Sequence, residues 1–296
     1  MKEISRCGYV AIIGKPNVGK STLLNCILGQ KVSITSPKPQ TTRTAILGIN
    51  TKGPLQVIYM DTPGLHNAEQ RAMNRYMNRM ASSVIPDANL ILFMIEAGVW
   101  TDADDGALQR LEHSQSPVIL VINKVDQLKS KALLLPFIEK VKTKYAFQDI
   151  FPLSARKADN VAALEDEIAR YIPEGPHFFP DDQITDKTAR FQVAEVIREK
   201  LMHATGQEVP YSTSVEIEEF KVEDDLVTIG AIIWVEREGQ KAIVIGKKGD
   251  VLKRIGIEAR RDIERIVRQK VFLRLWVKVK DKWTDDERAL KSLGYD

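Results

Sequence analysis

The sequence predicts an α/β domain with a mostly parallel sheet and helices on both faces, followed by a smaller α+β domain. The chain has 296 residues, which exceeds the usual size of one domain. Its first part alternates short apolar segments with segments of helical periodicity, and three prolines and a glycine in IPEGPHFFPDD interrupt that alternation. We therefore expect domains at 1–176 and 177–296, with a linker near 173–182.

The strands of the first domain are predicted from short apolar segments rich in β-branched residues. Six segments qualify, and they read YVAIIG, TAILGIN, LQVIYMD, NLILFMIE, PVILVINK and IFPLSA. Helical periodicity fills most of the gaps, over Lys20–Leu28, Glu69–Val84, Asp104–His113 and Asn160–Tyr171. Strands that alternate with helices in this way typically pair in parallel and are covered on both faces.

The second domain has a different order of elements. A helix over Thr188–Ala204 precedes two β-rich segments, STSVEIEEFKV and LVTIGAIIWVE. The segment VIGKKGDVLKRIG then leads into a long helix, and KVFLRLWVKVK forms a closing strand. Helices and strands that group rather than alternate indicate an α+β domain.

Composition excludes several classes of protein. The longest apolar runs, such as LILFMI and PVILVI, have the length of strands and are too short to cross a bilayer. No N-terminal segment resembles a secretion signal, so a cytoplasmic protein is expected. Cys7 and Cys26 form neither a disulfide framework nor a metal-ligand spacing.

The charge is unevenly distributed along the second domain. The whole chain has a net charge of +3. Residues 241–282 contain 14 Lys or Arg against 5 Asp or Glu, a net charge of +9, whereas residues 181–240 contain 6 against 14, a net charge of −8. A local basic block of this kind indicates a nucleic acid or an anionic surface as partner.

The segment GKPNVGKS, Gly14 to Ser21, lies between a predicted strand and a predicted helix and fits G-x-x-x-x-G-K-[ST]. Its backbone N–H groups could surround a β-phosphate, with Lys20 on the β/γ oxygens and the Ser21 hydroxyl on Mg²⁺. A chance glycine-rich turn is the alternative, which the flanking elements disfavour. The predicted nucleotide contacts here are Gly14, Lys15, Pro16, Asn17, Val18, Gly19, Lys20, Ser21 and Thr22.

The segment DTPG follows the strand LQVIYM. Asp61 suits a carboxylate that holds Mg²⁺ through water, and the Gly64 N–H can bond a γ-phosphate, so this loop would sense hydrolysis. An ordinary β-turn is the alternative for an isolated DTPG. The predicted contacts are Asp61, Thr62, Pro63, Gly64 and Leu65.

The segment NKVD, Asn123 to Asp126, lies at the end of the predicted strand PVILVINK, the second strand after LQVIYMD. Asp126 can accept hydrogen bonds from guanine N1–H and N2–H₂, donors that adenine does not present together. Lys124 would stack on the base, and Asn123 would tie this loop to GKPNVGKS. SAR, after the last strand, is a weaker signal whose backbone could contact the guanine oxygen. The predicted contacts are Asn123, Lys124, Val125, Asp126, Ser154, Ala155 and Arg156.

These four motifs in this order resemble the translation-factor-related GTPases, and GKPNVGKSTLLN with QTTRT is similar to the bacterial Era family within them. The resemblance implies a P-loop GTPase domain that binds GTP or GDP and hydrolyses GTP. It further implies that Thr42 ligates Mg²⁺ and marks switch I, with the neighbouring Thr41 as the alternative. Ser21 and Thr42 would then ligate Mg²⁺ directly, and Asp61 through water.

The residue after DTPG departs from Ras-like enzymes, which carry a catalytic glutamine there. Leu65 cannot orient water, so slow intrinsic hydrolysis is expected. His66 is the nearest titratable candidate, although a solvated switch histidine is the stronger interpretation, and nothing in the sequence aims Arg43 at the phosphates. The predicted catalytic residues are Lys20, Thr42, Gly64 and Asn17.

Asn17 receives a catalytic role because its amide oxygen could ligate a monovalent cation beside the phosphates. K⁺ at that place would supply the positive charge that an arginine finger supplies elsewhere. Some relatives with this asparagine are activated by potassium, so the resemblance implies the same here. The alternative is that Asn17 only braces the loop.

The second glycine-lysine segment, GKKGD, lacks the spacing, hydroxyl and aspartate loop of a nucleotide site. A loop of the form G-x-x-G instead resembles KH domains, in which it clamps a single-stranded RNA backbone. The glycines allow close approach, and the lysines supply charge. The predicted RNA contacts are Ile245, Gly246, Lys247, Lys248, Gly249, Lys253 and Arg254.

Periodicity supports a packed domain around this loop. One helical face carries Leu252, Ile255, Ala259, Ile263 and Ile266, and the opposite face carries Arg254, Arg261, Arg265 and Arg268. The closing strand alternates from Val271 to Val279 on one face with Phe272, Arg274, Trp276, Lys278 and Lys280 on the other. The second of these strand faces could contact RNA, but a solvated sheet face explains it at least as well.

A GTPase domain followed by this KH order resembles the Era family over essentially the whole chain. The resemblance implies binding to the 3′ end of 16S rRNA, assistance in assembly of the small ribosomal subunit, and partial peripheral association with the inner membrane. Nothing in the sequence demands a dimer, so a monomer is expected. Two rival hypotheses are a GTPase subunit of an RNA-modification system and a membrane-surface GTPase whose basic block binds anionic lipid.

Overall fold

The computed structural model describes residues 4–65, 71–206 and 209–295. Contacts between residues divide the chain into two compact units. The first holds Met1–Thr35, Thr42–Glu69 and Asn74–Asp186, and the second holds Ser36–Thr41, Gln70–Met73 and Lys187–Asp296. The predicted domain boundary at residues 176 and 177 stays a prediction, because a packing unit need not be an independently folding domain.

The first unit contains the larger sheet. Its strands are β1 (Arg6–Ile13), β2 (Ile46–Lys52), β3 (Leu55–Asp61), β4 (Leu90–Glu96), β5 (Val118–Asn123) and β6 (Asp149–Pro152). Their order is β2-β3-β1-β4-β5-β6, and each neighbouring pair is parallel except β2 with β3. The predicted mostly parallel sheet is confirmed. β2 is antiparallel because only Gly53 and Pro54 separate it from β3, which is too short for a parallel crossover.

Within the described residues, five α-helices accompany these strands. They are α1 (Lys20–Leu28), α2 (Ala72–Ser83), α3 (Asp102–Gln109), α4 (Leu134–Val141) and α5 (Val161–Tyr171). One buried core contains Leu24 of α1 and Ile168 of α5, whereas a second core contains Ala81, Leu108 and Val141 from the other three helices. Because the two cores use different helices, both faces of the sheet are covered, as predicted.

Some of these helices differ from the sequence-based expectation. α3 begins at Asp102 rather than Asp104 and ends before His113, because Thr101 and Asp104 form a capping box that fixes its start. α4 was not predicted, since Pro136 interrupts its apolar pattern although proline is tolerated in a first helical turn. The expected helix over Glu69–Val84 begins at Ala72 within the described residues; 69 and 70 lie outside them.

The predicted linker near 173–182 forms hydrogen bonds with residues of the first unit. The amide of Gln56 donates to the Phe179 carbonyl at 2.9 Å, and its oxygen accepts from the Phe178 and Phe179 N–H groups. Farther on, Thr185 forms a bridge with Gly48 of β2. The proline-rich composition therefore marks the end of the alternating pattern but not a chain segment without contacts.

The described residues of the second unit form, in chain order, a helix, two strands, two helices, a strand and a short helix. They are α6 (Ala189–Ala204), β7 (Ser214–Val222), β8 (Leu226–Val235), α7 (Glu238–Ile245), α8 (Asp250–Val267), β9 (Lys270–Val279) and α9 (Glu287–Ser292). The sheet order is β7-β8-β9, with β7 antiparallel and β9 parallel to β8. The α+β prediction is confirmed, but neither α7 nor α9 was predicted.

The core of this unit confirms the predicted periodicities. Ile255, Ala259 and Ile263 of α8 are fully buried in one cluster with Ile197 of α6. Along β9, the face that begins at Val271 joins the same cluster. Phe272 and Trp276 lie on the other face and are exposed.

Two kinds of feature are absent from residues 4–65, 71–206 and 209–295. No described helix is long and apolar enough to cross a membrane. Among the same residues, no cluster of three or more His, Cys, Asp or Glu side chains could hold a metal ion. A magnesium site built from hydroxyls and one carboxylate would not need such a cluster.

Candidate functional site

The loop from Gly14 to Lys20 has a backbone that requires glycine at two places. Gly14 has φ 155° and Gly19 has φ 102°. A Cβ on Gly14 would lie 2.3 Å from the Met94 carbonyl oxygen, and one on Gly19 would lie 2.3 Å from Asn123 Nδ2. The loop therefore packs too tightly against its neighbours to accept a side chain at either position.

The end of this loop is the start of α1. Within the part of the chain that the structure describes, no side chain caps the N-terminus of α1 at Gly19. The first N–H groups of a helix have no intrahelical acceptors and carry a favourable partial charge for anions. The arrangement is therefore suited to hold a phosphate.

The Lys20 ammonium group is buried at the centre of the loop. It donates to the carbonyl oxygens of Gly14 at 3.0 Å and Lys15 at 3.1 Å. Burial lowers the pKa of Lys20 to about 8, while the charge of Asp61 opposes that shift. These carbonyls keep the ammonium group beside the loop, where phosphate oxygens would accept from it.

The other lysine of the loop serves a different contact. Lys15 Nζ lies 2.7 Å from Asp104 Oδ2 and 3.1 Å from Thr101 Oγ1. Asp104 is fully buried. The ion pair connects the loop to the start of α3, and Lys20 is the lysine left to face a phosphate.

The three predicted magnesium residues meet at one point. Ser21 Oγ lies 2.9 Å from Thr42 Oγ1 and donates to Asp61 Oδ2 at 2.6 Å. Ser33, which the sequence analysis missed because it belongs to no motif, donates to the same carboxylate oxygen at 2.8 Å. The Thr41 hydroxyl instead donates to the Lys38 carbonyl oxygen at 2.6 Å, so the geometry favours Thr42 over Thr41.

The Asp61 carboxylate supplies a test of whether a magnesium ion fits. Its Oδ1 atom is buried and has no hydrogen-bond partner among the described residues. Burial raises the pKa of Asp61, while hydrogen bonds from Ser21, Ser33 and Thr42 and the charge of Lys20 oppose the rise. A buried acceptor without a donor, next to two hydroxyls, matches the oxygen ligands that Mg²⁺ prefers.

The DTPG loop approaches the phosphate loop closely. Thr62 Oγ1 donates to the Ile12 carbonyl oxygen at 2.8 Å, and the Leu65 N–H donates to the Gly14 carbonyl oxygen at 3.3 Å. A Cβ on Gly64 would lie 2.7 Å from backbone atoms of Pro16. The Leu65 side chain is buried, and His66 lies outside the described residues.

The NKVD and SAR loops are joined to each other and to the phosphate loop. Asn123 Nδ2 donates to the Val18 carbonyl oxygen at 2.8 Å, and Asn123 Oδ1 accepts from the Ala155 N–H at 2.9 Å. Ser154 Oγ donates to Asp126 Oδ1 at 2.7 Å, which leaves the rest of that carboxylate for a ligand. The predicted tie by Asn123 is present in the structure.

Lys124 of the NKVD loop and Arg156 of the SAR loop differ in their surroundings. Lys124 adopts φ 66°, and its ammonium group pairs with Glu96 Oε2 at 2.6 Å. Glu96 could not be named from the sequence, because it ends β4 without a motif of its own. Arg156 is exposed, whereas Ser154 and Ala155 are buried beside the base loop.

The GKKG loop, Gly246 to Gly249, connects α7 to α8. Gly246, Lys248 and Gly249 have φ of 76°, 55° and 81°. A Cβ on Gly246 would lie 2.2 Å from Asp250 Oδ1, whereas a Cβ on Gly249 would meet no heavy atom within 4 Å. Gly246 is thus required by packing, and Gly249 leaves open space in which another molecule could approach the backbone.

The basic residues around this loop are accessible. Lys247, Lys248, Lys253 and Arg254 are exposed, and Ile245 is half-buried. Ile243 of α7 and Ile257 of α8 expose 52% and 41% of their surfaces, although both are apolar. Sequence periodicity did not single out these two isoleucines, because it reports the buried stripe and not the exposed neighbours.

Comparison with known proteins gives two family matches along the chain. Residues 9–124 match the family described as 50S ribosome-binding GTPase, and residues 208–284 match the KH domain. The GTPase Era of Marinobacter nauticus is 56% identical over 290 residues, which are 98% of this chain and 95% of that protein. The GTPase Era of Pseudomonas fluorescens is 54% identical over 98% of this chain and 97% of its own length.

Two solved structures are similar over the same length. A crystal structure of Era in complex with MgGDPNP and nucleotides 1506–1542 of 16S ribosomal RNA has a TM-score of 0.95 at 42% identity, covering 98% of this chain and 99% of that chain. A variant of Aquifex aeolicus Era bound to GDP·AlF₄⁻ has a TM-score of 0.94 at 43% identity, with the same coverage. The similarity therefore extends over both units of the chain.

Proposed function

This chain belongs to the Era family of GTPases, and on that premise we propose that it is a GTP-dependent switch that binds the 3′ end of 16S rRNA and assists assembly of the small ribosomal subunit. The observation that carries the proposal is the presence in one chain of two different phosphate-binding loops, Gly14–Ser21 and Gly246–Gly249. The related Era structure that contains MgGDPNP and a 16S rRNA fragment supports the same assignment.

At the GTP site, each group has a role that follows from its position. Ser21 and Thr42 would hold Mg²⁺ directly and Asp61 through water, and the bound ion would neutralise negative charge on the phosphates. Lys20 would donate to β/γ oxygens in place of the two loop carbonyls. The Gly64 N–H would bond the γ-phosphate, which links the DTPG loop to the presence of GTP.

Selectivity for guanine is assigned to Asp126. Its carboxylate accepts one hydrogen bond from Ser154 and retains acceptor capacity for guanine N1–H and N2–H₂. Adenine would leave this acceptor unpaired, and an unpaired buried acceptor is strongly unfavourable. GTP rather than ATP is therefore the nucleotide proposed for the site.

We further propose that GTP hydrolysis is slow and is activated by potassium. Leu65 is buried and apolar, so it cannot orient the attacking water. Asn17, which adopts φ 65° in the middle of the loop, is proposed to ligate K⁺ beside the phosphates.

We expect wild-type protein to hydrolyse saturating Mg·GTP several-fold faster in K⁺ than in Na⁺, since a fixed cation stabilises charge that develops in the transition state. Asn17→Ala should bind GTP yet show the same rate in both salts. Equal wild-type rates at matched ionic strength would contradict the potassium site.

The location and oligomeric state belong to the proposal as well. We propose a cytoplasmic monomer, part of which associates peripherally with the inner membrane. The support is the net charge of +9 over residues 241–282, which suits an anionic lipid surface as well as RNA. Competition between acidic vesicles and an rRNA fragment would show whether the two partners use the same basic residues.

The experiment that tests RNA binding compares Gly249→Asp with Gly294→Asp. Both glycines have a positive φ, 81° and 83°, and a Cβ on either would meet no heavy atom within 4 Å. The backbone strain is thus matched, but only Gly249 lies in the GKKG loop, where a carboxylate would face the RNA phosphates.

Filter binding to a 16S 3′-end oligonucleotide should show loss of affinity for Gly249→Asp alone, with GTP affinity unchanged in both variants. Normal RNA binding by Gly249→Asp would refute the KH-loop assignment. Crosslinking in cells, followed by sequencing of the bound RNA, would identify the natural site.

A further inference from the structure

Within the first unit, the side chain of Lys15 leaves the phosphate loop and ends in a closed set of hydrogen bonds at the start of α3. Lys15 Nζ donates to Asp104 Oδ2 at 2.7 Å and to Thr101 Oγ1 at 3.1 Å. Thr101 Oγ1 in turn donates to Asp104 Oδ2 at 2.8 Å. Each of the three side chains contacts the other two, so none can turn without breaking a bond. We call these three residues the α3 tether.

The α3 tether is enclosed by the protein. Asp104 is fully buried, and the Lys15 side chain exposes only 14% of its surface. The Thr101 N–H also donates to Asp104 Oδ2 at 2.8 Å, while Asp104 Oδ1 is buried without a hydrogen-bond partner among the described residues. A buried carboxylate of this kind needs a cation beside it, because water does not stabilise its charge. Lys15 supplies that cation.

The backbone of Lys15 contacts the lysine that faces the phosphates. Its carbonyl oxygen accepts from Lys20 Nζ at 3.1 Å, and the Gly14 carbonyl oxygen accepts from the same ammonium group at 3.0 Å. Pro16 comes next in the chain, and a proline fixes its own φ and disfavours helical conformations of the residue before it. Since both the side chain and the following peptide of Lys15 are restrained, its carbonyl has a fixed direction. The α3 tether therefore helps to determine where the Lys20 ammonium group lies.

The residues on either side of Lys15 contact the DTPG loop. A Cβ on Gly64 would lie 2.7 Å from both the nitrogen and the Cα of Pro16. The Leu65 N–H donates to the Gly14 carbonyl oxygen at 3.3 Å. A displacement of Lys15 would consequently move the surface against which Gly64 packs, and the Gly64 N–H is the proposed donor to the γ-phosphate.

We propose that Asp104, acting through Lys15, is a positioning residue for GTP hydrolysis. It fixes the peptide unit between Lys15 and Pro16, and that unit places Lys20 and Gly64 beside the β- and γ-phosphates. The inference rests on the proposed function, because it needs the roles of Lys20 and Gly64 at the phosphates. It goes beyond that function by naming a buried carboxylate, outside the four nucleotide motifs, on which their placement depends.

The α3 tether affects the rate of hydrolysis more than the affinity for GTP. Affinity is shared among the backbone N–H groups of the phosphate loop, Mg²⁺ and the base site, so a small shift of one ammonium group costs little binding. In the transition state, charge develops on the phosphate oxygens, and fixed donors aimed at that charge have their largest effect. A misplacement of about 1 Å in such a site can reduce the rate roughly a hundredfold.

The test compares Asp104→Asn with Asp105→Asn. Both residues lie in the first turn of α3, and both pair with a lysine, but Asp105 pairs with Lys144 at 3.1 Å and its side chain is 42% exposed. Asparagine at position 104 keeps an oxygen that can accept from the Thr101 N–H, so the capping bond is retained. We expect kcat to fall roughly tenfold in Asp104→Asn, with KM changed less than about threefold, since a charge-assisted hydrogen bond is lost. Asp105→Asn should keep the wild-type kcat and KM, because exposed ion pairs contribute little.

Phosphorus NMR of bound GDP is a second measurement, and a purely structural role of Asp104 would not change it. The resonance of the β-phosphate should shift in Asp104→Asn, because Lys20 is the proposed donor to its oxygens. The resonance of the α-phosphate should stay at its wild-type position. In Asp105→Asn, both resonances should coincide with those of the wild type.

A second variant separates positioning from loss of folding. Lys15→Met alone would leave Asp104 buried without its cation, which is strongly destabilising. Lys15→Met combined with Asp104→Asn leaves no buried charge unpaired, so it should unfold close to the wild-type temperature. Because both substitutions remove the same contact, the double variant should lose roughly tenfold in kcat, as Asp104→Asn alone does, and not the product of two independent losses.

An unchanged kcat in Asp104→Asn would overturn the positioning role. So would an equal loss in Asp105→Asn, or a loss of kcat without a shift of the β-phosphate resonance. A folded double variant that loses the product of the two single effects would show that Asp104 and Lys15 act separately, and would overturn the proposal as well. Failure of the proposed function would look different, since Lys20→Met would then hydrolyse GTP as fast as the wild type.

Discussion

The two phosphate-binding loops of this chain use the same residue types in opposite ways. In the first loop, Lys20 is buried and a Cβ on Gly19 would lie 2.3 Å from Asn123. In the second loop, Lys247 and Lys248 are exposed and a Cβ on Gly249 would meet open space. Enclosure suits one small ligand of fixed shape, and openness suits a long backbone that must pass through the site.

The largest difference between the two loops is expected when one glycine of each loop is replaced by alanine. Gly19→Ala forces a methyl group against Asn123 at φ 102°, and we expect a loss of roughly 3 kcal/mol in the free energy of unfolding. Hydrolysis should fall at least roughly a hundredfold, since small displacements in a catalytic site are costly. Gly249→Ala should lose only about 1 kcal/mol, from its positive φ alone.

Urea unfolding and single-turnover hydrolysis would measure both effects. Gly53→Ala, with φ 57° and open space around its Cβ, controls for backbone strain outside either loop. Similar losses of stability in Gly19→Ala and Gly249→Ala would contradict the distinction between an enclosed and an open loop.

The second test concerns ligand selection, which we expect only at the enclosed site. Asp126→Asn should weaken GTP binding roughly thirtyfold, because bonds from guanine to a carboxylate are lost. Xanthosine nucleotides should gain affinity, since their ring carries an acceptor where guanine has an amino donor. Titration with fluorescent GTP and XTP would show the change, and a retained preference for GTP would disprove the role of Asp126.

The sequence predicted the residues of the enclosed nucleotide site more completely than the residues that hold them in place. Gly14, Lys20, Asp61 and Asn123 lie in motifs whose spacing carries the chemistry, so they could be named in advance. Ser33 could not, because its bond to Asp61 joins residues 28 positions apart without any motif at Ser33. The same holds for Glu96 beside Lys124, since side-chain pairing across strands leaves no local pattern.

Secondary structure was predictable where the apolar residues recur with a single period along the sequence. α8 places its apolar residues on one face, so its stripe could be identified before the structure was known. α7 was missed because its sequence EGQKAIVI runs into the glycine-lysine loop and has no separate apolar face. The antiparallel pairing of β2 was missed as well, because alternation of strands and helices predicts only the commonest arrangement.

A smaller effect should be seen in the salt dependence of RNA binding at the open GKKG loop. Lys247→Ala and Lys248→Ala each remove one exposed cation, and we expect RNA affinity to fall by about threefold at physiological salt. The slope of log affinity against log salt concentration should decrease in magnitude by about one. Lys291→Ala, an exposed lysine of α9, serves as the control. An unchanged slope in both loop variants would mean that these lysines do not contact phosphates.

The smallest predicted effect concerns a residue of neither loop, His177 in the linker. Its Nδ1 lies 2.7 Å from Asp181 Oδ1 and its Nε2 lies 3.1 Å from the Pro54 carbonyl oxygen. The hydrogen bond to Asp181 and then the bond to the Pro54 carbonyl raise the pKa of His177. The protonated form is therefore favoured in the folded protein.

The sign of the pH effect follows from that direction. A pKa that is higher in the folded state stabilises the fold fully below the unfolded value, which is about 6.5 for histidine. The contribution is lost as the pH rises through the raised pKa of the folded state. Wild type should therefore lose slightly more stability than His177→Gln as the pH rises from below 6 to about 8.

Thermal unfolding of both proteins across this pH range would measure the difference. Because the hydrogen bonds of the His177 ring go to Asp181 and Pro54, GTP and RNA affinities should be the same in both proteins at every pH. Parallel stability curves would show that protonation of His177 does not stabilise the fold. A change in GTP or RNA affinity would instead show that the linker influences a loop, and the two loops could then no longer be treated as independent of it.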